Sequence, residues 1–145
     1  MTLPIATIGY EKAPLAEVIG RLKTAKVGLL IDVRAVAASR RPGFSKTLLS
    51  GSVQDQGVGY LHLRDLGTPK SGRVAARAGR VAEMHAIFHE HMQTAAALSA
   101  LEEAVQRSQA ERVCLLCYEA EAACCHRRIL ADMISARTGA QVVDL

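Results

Sequence analysis

Five short apolar runs are spaced along the chain, and polar or glycine-containing segments separate them. Short apolar runs that contain β-branched residues and end at turn-forming residues are typical of β-strands. The run at 27–33 is apolar at almost every position, which indicates a strand buried on both faces, as in parallel sheets. The predicted strands cover residues 3–8, 27–33, 58–63, 112–117 and 141–145.

Between these runs, apolar residues recur every three or four positions, which is the spacing of an amphipathic helix. Glycine, proline and basic residues interrupt this pattern over 34–43 and 66–79, and both segments are predicted to be loops. The predicted helices cover residues 14–26, 45–49, 81–107 with a break near Gln93, and 125–137.

The alternation of strands and helices favours a parallel sheet whose strands are joined by crossover helices. The chain has 145 residues and contains no internal repeat or linker, so it is predicted to be a single α/β domain over 1–145. The predicted fold is an open, mostly parallel sheet of about five strands with helices on both faces.

Composition and charge narrow the class of protein. Half of the residues are hydrophobic and 22% are charged, which describes a globular chain rather than a disordered one. No apolar run approaches the roughly 18 residues of a membrane span, and the N-terminus does not look like a signal peptide. We therefore expect a cytoplasmic protein with reduced thiols and no membrane association. The net charge of +4 favours an anionic small molecule or nucleic acid as partner, although aromatic residues at 3% argue against a base-stacking platform.

Polar residues follow every predicted strand except the last. In open α/β sheets, ligands bind outside the carboxyl ends of the strands, so these residues are the first candidates for a site. No G-x-G-x-x-G or P-loop pattern accompanies them, and we predict no cofactor. The candidate strand ends are Gly9–Glu11, Asp32–Arg34, Arg64–Gly67 and Cys117–Glu119.

The segment from Cys117 to Arg128 reads CYEAEAACCHRR and contains three of the four cysteines. Cys114 and Cys117 have C-x-x-C spacing, but residues three apart on a strand point to opposite faces, so this pair cannot hold one ion. Cys117, Cys125 and His126 remain as a partial set of three, whereas a closed zinc site needs four ligands. We therefore predict no metal site.

Thiol chemistry is a second interpretation of the same segment. Cys125 lies at the predicted start of a helix, beside His126 and two arginines. The helix dipole and the positive neighbours favour a thiolate there, so Cys125 is a candidate nucleophile or redox sensor. The alternative is a small buried residue, and buried cysteines are usually inert.

Acid–base chemistry is a third interpretation. Glu119 follows a predicted strand by two residues, and His126 and Arg127 begin the next helix. A carboxylate, an imidazole and a guanidinium that converge on one cleft can transfer protons and hold an anion. The alternative is that Glu119 pairs with Arg127 and only fixes the turn.

A second group of polar residues follows the predicted strand at 27–33. Asp32 lies within an apolar run, where an unpaired charge is costly, so a nearby arginine, Arg34 or Arg127, is its predicted partner. The next few residues are rich in arginine, which suits either an anion site or a solvated basic loop. The candidate anion-binding residues here are Arg34, Ser39, Arg40 and Arg41.

Basic residues also recur in the predicted loop at 66–79, at Lys70, Arg73 and Arg77, and Arg80 follows it. The loop is either a lid that contacts a phosphate or a solvated segment.

Several short motifs resemble the domain of unknown function 488 family, and they span nearly the whole chain in order. They are TIGYE at 7–11, DVR at 32–34, SRxPxF at 39–44, GxxYxxxxxLG at 57–67, CxE at 117–119 and CHR at 125–127. The chain departs from the family pattern at Ala37 and Thr68. The resemblance implies an α/β domain with a polar site at the strand ends, and it implies no reaction.

Together these patterns predict an enzyme that acts on a phosphate-bearing substrate, with nucleotide or nucleic acid as candidates. Glu119 would be the general acid/base, Asp32 would orient Arg127 or His126, and Cys117 or Cys125 would be the nucleophile. The alternatives are a non-catalytic nucleotide- or nucleic-acid-binding module and a thiol redox sensor centred on Cys125. The predicted catalytic residues are Asp32, Glu119, Cys125 and His126, and the predicted substrate-binding residues are Tyr10, Arg34, Ser39, Arg40, Cys117 and Arg127.

Overall fold

Five parallel strands form one sheet in the computed structural model, which describes residues 2–122 and 125–145. The strand order is β3-β2-β4-β1-β5, so the predicted open parallel sheet is confirmed. The strands are β1 (Ile5–Gly9), β2 (Leu29–Asp32), β3 (Gly59–His62), β4 (Val113–Cys117) and β5 (Val142–Asp144).

Six helices and one short 3-10 helix connect the strands within the described residues. The predicted break near Gln93 is confirmed, because one helix ends at His91 and the next begins at Ala95. The helices are α1 (Leu15–Thr24), α2 (Lys46–Asp55), α3 (Lys70–Arg77), α4 (Val81–His91), α5 (Ala95–Ala110) and α6 (His126–Thr138), and the 3-10 helix covers Arg64–Leu66. None of these helices, in the part of the chain that the structure describes, is both long and apolar enough to cross a membrane.

One helix prediction was wrong in extent, and one loop prediction was wrong in kind. The helix after Ser45 continues to Asp55 instead of ending at Leu49, and the segment 66–79 contains α3 rather than a loop. Glycine was the misleading signal in 66–79. A Cβ on Gly72 would lie 2.2 Å from Thr68 Cγ2, so this glycine allows close packing inside a helix instead of breaking it.

The strands alternate their side chains between two apolar layers. On one face, α1 and α2 pack over Ile8, Leu30 and Leu116; on the other, α3 to α6 pack over Ile31 and Leu115. Cys114 and Cys117 fall in different layers, as the strand period requires. The prediction that Cys114 and Cys117 point to opposite faces of the sheet is therefore confirmed.

The carboxyl ends of the three central strands lie side by side. The register pairs Gly9 of β1 with Cys117 of β4, and Asp32 of β2 with Leu116. From β2 the chain continues to β3 at one edge of the sheet, whereas from β4 it continues to β5 at the other edge. Adjacent strands whose connections leave in opposite directions open a crevice between their carboxyl ends, so a ligand site is expected between β2 and β4.

Candidate functional site

A cleft of about 710 Å³ lies at the carboxyl edge of the sheet, bordered by the ends of β1, β2 and β4, the start of α6, and α3. Its polar lining combines basic, acidic, thiol and hydroxyl groups. Of the residues predicted to be catalytic or substrate-binding, Asp32, Arg40 and Arg127 do not line it. The polar lining residues are Tyr10, Glu11, Arg34, Ser39, Thr68, Arg73, Arg77, Cys117, Tyr118, Glu119, Cys125 and His126.

Asp32 and Arg34 form a buried ion pair on the face of the sheet covered by α1 and α2. Arg34 Nε donates to Asp32 Oδ1 over 2.9 Å and its Nη2 donates to Oδ2 over 2.7 Å. The Arg34 backbone N–H also donates to Oδ1, over 3.1 Å, and the Tyr60 hydroxyl donates to Oδ2 over 2.5 Å. Burial lowers the pKa of Arg34, but Asp32 and Tyr10 together more than offset this effect, so the pKa is raised and the guanidinium stays charged. Burial and the bond to Asp32 both raise the pKa of Tyr60.

This pair answers two predictions about Asp32. Arg34 is the ion-pair partner of Asp32, which was one of the two predicted alternatives. However, the Asp32 carboxylate contacts Arg34 and Tyr60 and does not orient Arg127 or His126. The reason is strand parity, because Asp32 points to the α1 and α2 layer while His126 packs in the opposite layer. Asp32 therefore positions Arg34 at the edge of the cleft.

Arg127 holds the loop that follows β4. It is 1% exposed, its Nη1 donates to the carbonyl of Glu119, and its Nη2 donates to the carbonyl of Ala120 over 3.2 Å. Its guanidinium is therefore not available to an anion in the cleft, contrary to the prediction. The proposed ion pair between Glu119 and Arg127 is also absent from the described residues, since the contact is to the backbone and leaves the Glu119 carboxylate free to face elsewhere.

Gly9 makes this loop position possible. A Cβ at residue 9 would lie 1.8 Å from the Glu119 carbonyl oxygen and 3.0 Å from Arg127 Nη1. The loop also bonds along the end of β1, where Glu11 donates its backbone N–H to the Tyr118 carbonyl and accepts from the Ala120 N–H through its carboxylate. Only glycine at the end of β1 lets the Glu119 backbone pass this close to the strand.

Cys117, Glu119, Cys125 and His126 form a compact cluster on the α6 side of the cleft. Cys117 Sγ lies 3.4 Å from Glu119 Oε2 and 3.6 Å from His126 Nδ1. Cys125 Sγ lies 3.7 Å from the same Nδ1, and the other ring nitrogen, Nε2, lies 2.8 Å from the Val33 carbonyl oxygen. The four residues that the sequence separated by up to nine positions therefore share one wall of the cleft.

Burial works against the thiolate that was predicted at Cys125 from its helix position. Cys125 precedes the first residue of α6 and is 1% exposed. Burial raises the pKa of the Cys125 thiol well above its ordinary value, which outweighs the helix dipole and the positive neighbours. Cys124, the neighbouring cysteine, lies outside the described residues.

The loop after β2 is held by its own residues. The Ser39 hydroxyl accepts from the Arg41 N–H over 3.0 Å, and Arg41 donates to the carbonyls of Tyr10 and Ala13. Arg40 is exposed and outside the cleft. Arg41 therefore has a structural role, and of the anion-binding residues predicted for this loop only Arg34 and Ser39 line the cleft.

Arg73 and Arg77 also line the cleft; the sequence placed them in a possible phosphate-contacting lid but not among the predicted substrate-binding residues. They are four residues apart on α3, so they extend from the same face of the helix. Arg73 Nη1 donates to the Thr68 carbonyl over 2.9 Å, which fixes its direction. The spacing of the basic residues is visible in the sequence, but it places Arg73 and Arg77 on one face only if the segment is helical.

Comparisons with known proteins identify a family. Residues 14–134 match the family model described as "Domain of unknown function DUF488", which confirms the resemblance inferred from the motifs. No curated protein and no solved structure matches the chain.

Proposed function

The chain belongs to the DUF488 family, and we propose that it is an enzyme whose cleft binds and transforms a nucleotide. The observation that carries this proposal is the position of the Glu119 carboxylate, which stands in the same cleft as the two arginines of α3. An acid–base group and an anion-binding pair that face one cavity are the minimum that a reaction on a phosphate-bearing substrate requires.

The anion-binding half of the site consists of Arg73 and Arg77. Guanidinium groups offer forked donors that match phosphate oxygens, and two of them one helical turn apart can grip one phosphate group or two successive ones. Arg34 also lines the cleft but is not counted in this half, because its guanidinium is bonded to Asp32, to the Tyr10 hydroxyl and to the Phe44 carbonyl. The cleft volume of about 710 Å³ is within the range of small-molecule sites.

A single exposed aromatic ring favours a nucleotide over a long single strand. Tyr118 lines the cleft, and its ring stands edge-on to Tyr10, with centroids 5.4 Å apart at an angle of 81°. Tyr10 in turn stacks on Phe44 at 4.3 Å, so the exposed ring rests on a rigid base. One such ring supports one planar base, whereas a strand-binding platform needs several.

Glu119 is the acid–base residue of the proposal. Arg127 and Gly9 fix its backbone, so its carboxylate is directed by the loop and not by a side-chain ion pair. Its Oε2 accepts from Cys117 at 3.4 Å, which keeps it beside the end of β4. A carboxylate held in this way is preorganised to take or return a proton without reorganising the loop.

The test measures binding and turnover separately. Nucleoside mono-, di- and triphosphates are incubated with the full chain and analysed by chromatography and phosphorus NMR, and affinity is measured by calorimetry. Glu119→Gln should lower kcat by about 10²- to 10⁴-fold while the Kd changes little. Arg73→Ala and Arg77→Ala should each raise the Kd about tenfold, the equivalent of one charge-assisted hydrogen bond.

Arg80→Ala is the matched control for the arginine variants, because Arg80 follows α3 but pairs with Glu83 and lies outside the cleft. It should leave the Kd and kcat at the wild-type values. Wild-type protein that binds nucleotides without any turnover would refute the enzyme proposal and favour a non-catalytic binding module. Equal turnover in wild-type and Glu119→Gln protein would refute the role of Glu119.

A further inference from the structure

We propose that Cys117, Cys125 and His126 form a binding site for a zinc-class divalent cation. Their donor atoms, the two Sγ atoms and a ring nitrogen, all lie within 4.8 Å of one another. The two distances from sulfur to Nδ1 are 3.6 and 3.7 Å. A tetrahedral zinc with bonds of about 2.3 Å to sulfur and 2.05 Å to nitrogen separates those two ligands by roughly 3.6 Å. Both sulfur-to-nitrogen distances therefore already have the spacing of a zinc site, and the two sulfurs lie within 4.8 Å of each other.

The orientation of His126 is independent support for this site. Its Nε2 lies 2.8 Å from the Val33 carbonyl oxygen, and a carbonyl only accepts hydrogen bonds, so Nε2 carries the proton. In the neutral ring, Nδ1 then presents a lone pair to the two sulfurs. Metal-bound histidines characteristically donate their second ring nitrogen to a carbonyl or carboxylate, which fixes both the tautomer and the ring plane. Phe88 packs against the same ring, with centroids 5.1 Å apart.

The charges of this donor set suit a buried divalent cation. Binding breaks the two S–H bonds, forms two S–metal bonds and releases two protons to solvent, while the imidazole stays neutral. Two thiolates balance one divalent cation, so the occupied site carries no net charge in a layer where all three residues are buried. Thiolate and imidazole ligands select zinc over magnesium or manganese.

The fourth coordination position faces the cleft. All three ligands line the cleft, and Glu119 Oε2 lies 3.4 Å from Cys117 Sγ on the same side. Three protein ligands with one position open to a cavity are the pattern of catalytic zinc sites, whereas structural sites have four protein ligands. The sequence predicted no zinc site because only three ligands were present, but the requirement for four protein ligands applies only to structural zinc sites. The site stands independently of the proposed nucleotide chemistry, because it rests on the ligands alone.

The experiment measures metal binding by untagged full-length protein that carries Cys124→Ser. The remaining thiols are then the three that the structure describes. The reduced protein is stripped with a chelator and titrated with Co²⁺, followed by visible absorption, and with Zn²⁺ in competition with a chromophoric chelator. We expect one ion per chain, a tetrahedral Co²⁺ spectrum and a thiolate-to-cobalt charge-transfer band. Cys117→Ser should weaken affinity by about 100-fold or more, above the effect typical of a single outer-shell partner.

Cys114→Ala is the matched control, because Cys114 is on the same strand but belongs to the opposite layer. It should bind Co²⁺ as the background protein does. Glu119→Gln should also keep the stoichiometry and the thiolate band, so loss of turnover in that variant and loss of the metal are separate results. The proposal fails if folded background protein, checked by circular dichroism, binds Co²⁺ no more tightly than Cys117→Ser. It also fails if Cys117 and Cys125 form a disulfide that reductant does not open.

Discussion

The buried carboxylate of Asp32 should contribute more to stability than any exposed carboxylate of this chain that forms an ion pair. Asp32 is fully buried and accepts four hydrogen bonds, three from Arg34 and one from Tyr60. Asp32→Asn keeps the size of the side chain, so no cavity forms. It removes the negative charge, however, and leaves Arg34, which is 5% exposed, without its counterion.

The expected loss follows from burial rather than from the length of the ion pair. Breaking a buried pair from one side costs about 3–5 kcal/mol, because the remaining charge stays uncompensated. The pair between Arg137 and Glu102 has the same 2.7 Å separation, but its side chains are about half exposed. An exposed pair of this kind contributes roughly 0–1 kcal/mol. Glu102→Gln is therefore the control, and the difference between the two variants isolates the effect of burial.

The assay is urea unfolding followed by far-ultraviolet circular dichroism, because the chain has no tryptophan to report by fluorescence. With an m-value near 2 kcal/mol/M, Asp32→Asn should lower the urea midpoint by about 1.5–2.5 M and Glu102→Gln by at most about 0.5 M. If Asp32→Asn lowers the free energy of unfolding by no more than the control does, burial does not strengthen this ion pair, and the reasoning is refuted.

Two further predictions concern the same edge of the sheet. Gly9→Ala should lower the free energy of unfolding by about 1–3 kcal/mol and displace Glu119, because its Cβ would lie 1.8 Å from the Glu119 carbonyl oxygen. Gly20→Ala is the control: no atom lies within 4 Å of its Cβ, so this substitution should stabilise α1 by about 0.5–1 kcal/mol. Equal effects of the two substitutions in urea unfolding would contradict this account. Tyr60→Phe should be less stable than wild type at neutral pH, and the gap should narrow above pH 10. The raised pKa of Tyr60 means that its contribution is complete below the ordinary value of 10.0 and is lost as the pH rises toward the folded value, so a gap that stays constant from neutral to alkaline pH would contradict the assignment.

The strands could be predicted from the sequence because every one of them is a short apolar run, and the all-parallel order followed from their alternation with helices. The layer assignment of Cys114 and Cys117 also followed, since it needs only the two-residue period of a strand. α3 could not be predicted in this way. Its glycine is a packing contact with Thr68, and a sequence does not distinguish a glycine that breaks a helix from one that lets a neighbour approach.

The location of the site was predictable to the same extent as the sheet. Residues at the carboxyl ends of strands meet at one edge in any parallel sheet, so the sequence alone predicts that Arg34, Cys117 and Glu119 lie near one another. Their partners depend on which face each side chain takes and on which backbone atoms pass nearby. Arg127 illustrates the limit, because its partners are two carbonyl groups, and backbone acceptors leave no mark in the sequence.

The tripeptide Asp32-Val33-Arg34 connects the buried ion pair to the proposed metal ligand His126, so both depend on one short segment. The side chains of Asp32 and Arg34 point to the α1 and α2 layer and form the ion pair there. Between them, Val33 points its side chain to the opposite layer, and its carbonyl holds His126 Nε2 at 2.8 Å. A backbone shift that breaks the ion pair would therefore also move the carbonyl that fixes the tautomer of His126. For this reason Asp32→Asn should disturb Co²⁺ binding in protein that remains folded, even though Asp32 is not among the three proposed ligands. The ion pair on one face of the sheet and the His126 donor atom on the other therefore depend on one backbone segment.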